Sequence, residues 1–155
     1  MFDFAKMKKA LQTILAGLQN QTLLNKLGLA QIRKIKDRTR RGLDLSGKTF
    51  KPYNEKYAER KFKTTGIPTH VVNLTLDDIS GMLQQIDHLV ATDFSNVEIL
   101  FRDPRKRKLA SYHNELGAGR SRVIREFWGV NSQDEKDLLD LIGHDLELLL
   151  QKLPN

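Results

Sequence analysis

The chain has 155 residues, 39% of them hydrophobic and 29% charged, and carries a net charge of +7. That is the composition of a soluble globular protein, and a single domain over 1–155 should bury roughly 70% of the surface its unfolded chain exposes. No apolar run approaches the ~20 residues that span a bilayer, so no membrane partner is expected. The lack of cysteine excludes disulfides and thiolate metal sites and fits a reducing compartment, or an assembly built inside one.

The first residues, Met1 to Lys9, place lysines inside an amphipathic pattern, which is not the order of a secretory signal. Phe4, Met7, Leu11, Ile14, Leu15 and Leu18 recur at helical spacing, with Asp3 as N-cap. The pattern breaks around residues 17–21. A second helix follows on Leu23, Leu24, Leu27, Ile32 and Ile35 and ends near Gly42, with Gly28 a weak point inside it. Residues 42–54 hold Asp, Ser, Gly and Pro and form a turn-rich loop or arm. Asn54 caps a short helix from Glu55 to about Phe62.

A further helix is expected over about 75–86, on Leu76, Ile79, Met82, Leu83 and Ile86. Residues 88–92 and 97–101 read as strands around an Asp93–Asn96 turn, an antiparallel hairpin that needs a third strand or a covering helix. A helical turn or two is expected over 109–116 and another strand over 123–128. Ser132 to Glu135 fits a capping box with Ser132 as cap, opening a C-terminal helix on Leu138, Leu139, Ile142, Leu146, Leu149, Leu150 and Leu153. The fold class is α+β: N-terminal helices, a small antiparallel sheet including the hairpin near 88–101, and a packed C-terminal helix.

Charge is unevenly spread. Residues 33–63 hold twelve basic and four acidic side chains, and residues 102–125 hold eight and two. From Glu126 onward seven acidic residues face two basic ones. Such polarity suits head-to-tail pairing of copies, or attraction to polyanions. Chemistry is scarce by comparison. The four histidines show no metal-ligand spacing. His113 and Glu115 do not face each other on a helix. Gly117 to Arg122 lacks the Lys-Ser/Thr ending of a phosphate-binding loop. No catalytic, cofactor or metal residues are assigned. The basic runs lack a readout signature for nucleic acid.

Several segments, in order, resemble the phage virion morphogenesis family, which includes tail completion proteins of the Mu and P2 kind. Gly42, Asp44, Gly47, Phe50 and Pro52 match its "G-x-D-x-x-G-x-x-[FW]-x-P" loop, and Lys61 ends the short helix behind it. His113 and Gly117 resemble its histidine–glycine element, and Arg125, Phe127 and Gly129 its "R-x-F-x-G" strand. The resemblance implies a non-enzymatic subunit of the virion, assembled in the host cytoplasm and placed at the head–tail junction (neck) or head-proximal tail end. There it would form a ring with copies of itself. Its other partners would be the connector or head-closure protein, the tail tube or terminator, and DNA passing unread through the lumen. Arg38, Arg40, Arg41, Lys48, Lys51, Arg105, Arg107, Arg120 and Arg122 are the candidate interface or lumen residues, expected to be exposed. Reversing Arg38, Arg40 and Arg41 should then leave the isolated fold intact. The alternative is a sequence-independent nucleic-acid-binding protein using residues 33–63 and 102–125.

Overall fold

Polar side chains at the ends of apolar stripes decide where each helix of this chain begins and stops. The computed structural model describes residues 4–18, 20–66, 68–70, 72, 81–117 and 122–151. Helix α1 spans Phe4–Leu18 and α2 spans Gln21–Arg40. Between them, Asn20 accepts from the Leu23 amide at 2.8 Å and donates to the Gly17 carbonyl, so one side chain starts α2 and ties it to the end of α1. The expected cap Asp3 lies outside the described residues. As expected, one helix runs to the approach of Gly42, and it passes unbroken through Gly28. A Cβ at that position would come within 2.6 Å of the His88 ring, so the glycine answers a close approach and not a bend. Gly42 follows the helix in the left-handed region (φ 74°), as its position predicts.

Helix α3 covers Glu55–Thr65, capped by Asn54 and closed by Gly66 (φ 70°); it continues past the expected end near Phe62. A 3-10 turn, Met82–Gln85, leads into strand β1, Ile86–Val90, which pairs antiparallel with β2, Val97–Phe101. The helix expected over 75–86 is corrected here. Met82 and Leu83 turn into the core and Ile86 pairs with Phe101, because this apolar run is buried from several sides and not along one stripe. Residues 73–80 lie outside the described residues. The hairpin register is pinned from Ile86 opposite Phe101 to Val90 opposite Val97, and α2 packs on it, which supplies the covering helix that two strands require.

Helix α4, Pro104–Ser111, brings the basic stretch 105–108 into helix. Asp103 accepts from the Arg105 amide at 2.7 Å, and proline stands in the first turn where no amide is needed. One π-helical turn, Tyr112–Leu116, follows. Residues 123–128 do not form the expected strand. Arg125 and Phe127 are buried and Glu126 between them is exposed, a period-two pattern. The backbone, however, bonds elsewhere. Asn114 Oδ1 takes the amides of Phe127 and Trp128, each at 3.0 Å, and the Arg125 amide donates to the His113 carbonyl at 2.7 Å. The segment is a strap laid across the π turn.

Helix α5 spans Ser132–Leu150, and its capping box begins one residue earlier than expected. Asn131 accepts from Asp134 N at 2.8 Å, and the Asp134 carboxylate accepts from Asn131 N at 3.3 Å. The shorter aspartate in the third helical position reaches back as glutamate does in the usual box. The hydrophobic core joins Ile32 and Ile35 of α2 to Phe50, Val72, Met82, Leu83, Ile86, Phe101, Ala110 and Phe127. The fold is therefore α+β, with the core enclosed by α2, the hairpin, α4 and the strap.

Helix α5 is held to α2 in a different way. Lys26 pairs with Asp145, Lys34 with Asp137 and Arg38 with Asp134, an antiparallel ladder of charges. Part of the polarity expected to join separate copies is thus satisfied within one chain. Arg38 is also corrected as an exposed interface residue: it is 4% exposed. Its Nη1 lies 2.6 Å from Asp134 Oδ2, and Nη2 donates to the carbonyls of Phe127 (3.2 Å) and Gly129 (3.4 Å). The sequence pattern placed it with Arg40 and Arg41, yet the helix turns it inward while those two stay exposed.

Removing one partner of a buried, hydrogen-bonded ion pair leaves the other charge uncompensated, at a cost of about 3–5 kcal/mol. Arg38→Ala should therefore lower unfolding free energy in urea by that amount, and Arg40→Ala by less than about 1 kcal/mol. Equal, small effects would show that the Arg38–Asp134 pair does not hold α5.

Candidate interaction site

The segments that carry the family resemblance meet in space. The loop after α2 folds on itself. Asp44 N donates to the Lys48 carbonyl (2.7 Å), Gly47 N to the Asp44 carbonyl (3.0 Å), and Phe50 N to the Gly42 carbonyl (2.8 Å). Asp44 Oδ1 accepts from Ser46 Oγ at 2.8 Å and from Lys48 N at 2.9 Å, the local side-chain bonding for which aspartate is selected in turns. Gly47 takes φ 83° in the middle of this turn. Phe50 leaves the loop for the core at 7% exposure.

The strap then clasps the loop. Leu45 N donates to the Glu126 carbonyl at 2.7 Å, and Asn131 Nδ2 donates to the Leu45 carbonyl at 3.0 Å. Gly129 (φ 135°) lies against the Leu45 side chain. Arg125 reaches across with Nη2 to the carbonyls of Lys51 (3.1 Å) and Pro52 (3.4 Å), and its guanidinium lies 5.1 Å from the Tyr53 ring centroid. Lys61 of α3 donates to the Tyr53 hydroxyl at 2.9 Å. Planar guanidinium fits such a fork of carbonyls better than ammonium does. Burial first, and then the neighbouring Arg125 and Lys61 charges, push the His113 imidazole down to about 4, so it packs as a neutral ring. Gly117 closes the π turn at φ 81°, where a Cβ would meet the Arg122 carbonyl oxygen at 2.3 Å; only glycine fits.

Gly42, Asp44, Gly47, Phe50, Pro52, Lys61, His113, Gly117, Arg125, Phe127 and Gly129 are thus parts of one clasp or of the turns that shape it. The candidate interface cations fall outside it. Arg40 and Arg41 end α2, Lys48 and Lys51 stand on the loop, and all four are exposed; Arg40 lies 3.5 Å from Asp37. Arg105 and Arg107 are exposed on α4, with Arg107 donating to the Phe101 carbonyl at 3.4 Å. Arg122 is exposed at φ 46°, and Arg120 lies outside the described residues. Sequence reasoning missed Asn114, whose carbonyl oxygen anchors the strap; nothing in its local pattern marks it.

An open groove of about 280 Å³ runs beside β2, bounded by Glu98, Ile99, Phe101, Arg107, Ala110 and Trp128 among others. The Phe101 and Trp128 rings stack along it at 4.9 Å. Among the described residues no group of three or more histidine, aspartate or glutamate side chains is placed to hold a metal ion, and no helix is long and apolar enough to cross a membrane. No family model, curated protein or solved structure matches the chain.

Two outcomes follow from the clasp. Arg125→Ala strips two carbonyls of a charged donor and should cost about 2–3 kcal/mol in urea unfolding; retention of full stability would mean the strap holds without it. For His113, the unfolded imidazole titrates near 6.5 while the folded one waits until about 4. The unfolded chain binds more protons between these values, so stability falls as pH drops from about 6.5 to 4, by on the order of 3 kcal/mol. His113→Gln should flatten the unfolding midpoint across that window, and an unchanged slope would assign it to other groups.

Proposed function

We propose that this chain is a non-enzymatic structural subunit of a tailed-phage virion, working at the head–tail junction or the head-proximal end of the tail, where copies join in a ring and connect tail to head. One observation carries the reading. Two of the segments that resemble the family are neighbours in the fold: Arg125 donates to the Lys51 and Pro52 carbonyls, and the loop and the strap are held together through Leu45, Glu126 and Asn131. The clasp also gives a subunit of this kind a rigid loop, with Lys48 and Lys51 exposed on it and Arg40 and Arg41 at its base. These four cations, and not Arg38, are the interface residues of the proposal. Exposed charges of this sort set partner choice and association rate more than fold stability.

The nucleic-acid reading draws on the same four exposed cations, since phosphate contacts need charge without base readout. Particle imaging separates the two. Deleting the gene from its phage should leave filled heads and finished tails unjoined, and supplying Arg41→Glu/Lys48→Glu/Lys51→Glu in its place should fail to rescue joining although the purified variant unfolds at the wild-type urea midpoint. Normal joined particles from the deletion would overturn the proposal. A purified chain that shifts duplex DNA at low salt, together with such particles, would favour the nucleic-acid reading.

A further inference from the structure

The groove walled by β2, α4, the π turn and Trp128 joins aromatic surface to acid. Half-buried Trp128, the chain's one tryptophan, lines it and stacks on Phe101 at 4.9 Å. Glu98 of β2 and Glu115 of the π turn line it too. Both are exposed, and neither has an ion pair among the described residues. Arg107 is the cation among the lining residues, and its guanidinium is turned to the Phe101 carbonyl at 3.4 Å. Two carboxylates against one guanidinium make the groove acidic in a chain of net charge +7. Aromatic surface edged by carboxylate fits a long amphipathic cation, its methylene stem along the ring and its charged head at the acids. A volume of about 280 Å³ is small for a drug-sized ligand and suits one such side chain.

The loop after α2 presents a side chain of that kind. Ser46 to Thr49 form its exposed tip. Asp44 Oδ1 fixes the backbone there through Ser46 Oγ and Lys48 N, and a Cβ on Gly47 would meet nothing within 4 Å. Lys48 therefore stands on a stiff, projecting turn, and docking it orders little chain beyond its own side chain. The other loop cations are less free. Arg40 has Asp37 beside it, and the backbone of Lys51 is held in the clasp by Arg125.

We infer that this groove takes Lys48 of a second copy of the chain, with the ammonium between Glu98 and Glu115 and the stem against Trp128. Loop and groove are different places on one molecule. Each copy offers Lys48 to one neighbour and a groove to another, so the contact runs head to tail and closes into a ring where the rotation allows. The inference rests on the loop being a contact between copies, as proposed above, and names the surface that receives it.

The test is self-association of the purified chain at low salt, by light scattering and sedimentation across a concentration series, with Trp128 fluorescence followed alongside. Association is expected to rise with concentration, to weaken as salt is added and to change the Trp128 emission in step. Lys48→Glu and Glu98→Lys/Glu115→Lys should each weaken it roughly tenfold or more while keeping the wild-type urea midpoint. Mixing these two variants is the sharper measurement. One keeps an intact groove and the other an intact Lys48, so together they should form a pair and no larger species, although neither associates well alone. A wild-type monomer at every concentration overturns the inference. So does a mixture that stays monomeric, or association and Trp128 emission that ignore Lys48→Glu. Normally joined particles from the deletion phage would remove the virion reading and leave these solution results untouched; a solution monomer that still supports joining would do the reverse.

Discussion

The buried guanidinium of Arg38 ties the last turn of α2 to the Asp134 carboxylate, and to the carbonyls of Phe127 and Gly129 just before α5. Burying such a group is costly unless its charge and most of its donors are answered together, and here both Nη groups are bonded while Nε has no partner among the described residues. Its partners come from the strap and from the first turn of α5. Asp134 is held in turn by the reciprocal cap with Asn131, and Asn131 also donates to the loop through the Leu45 carbonyl. Position of the loop, departure of the strap and origin of α5 are therefore one constraint. The core settles how α2, the hairpin and Phe127 pack; the arginine settles how the pieces outside that core are joined to it.

What could be read from the sequence divides along the same line. Helices α1, α2, α3 and α5, the hairpin and the loop all follow from local signals: apolar spacing, Asn54 before Glu55, Gly42 and Gly66 after helices, turn residues at Asp93 to Asn96. Those signals act within a few residues, and they survive folding wherever one face is wet. The misreadings come from residues whose environment is set at long range. Arg125 to Trp128 has strand composition, but its amides are taken by Asn114 and its buried arginine by carbonyls of the loop. Met82 to Ile86 has helical spacing, but it is buried among α4, the hairpin and the core residues around it. Arg38 shares a basic run with Arg40 and Arg41, and only the rotation of α2 against α5 distinguishes them. For the candidate site, the motif residues were legible as a set while their role as a clasp was not.

Charge has a different meaning once the fold is known. A basic middle and an acidic end suggest two surfaces seeking each other on different molecules, yet Asp134, Asp137 and Asp145 already meet α2 of their own chain. Among the described residues, the exposed cations at the end of α2 and on the loop lack so close a match; the Arg40–Asp37 contact is long and solvent-exposed. Exposed pairs contribute little to stability and are screened by salt, which leaves these side chains available to a partner. The proposed virion contacts accordingly rest on fewer residues than a count of charges suggests, all on or beside the rigid loop.

Gly28 has a meaning beyond helix continuity. The His88 imidazole rests on bare backbone there, with its Nε2 2.9 Å from Asn25 Oδ1 one turn earlier, so at this point the helix backbone and the ring leave no room for a side chain between them. Two positions sixty residues apart then share a single allotment of volume. In any lineage of this chain, a methyl group gained on the helix has to be matched by a smaller side chain on the strand, and the pair should drift together or stay fixed.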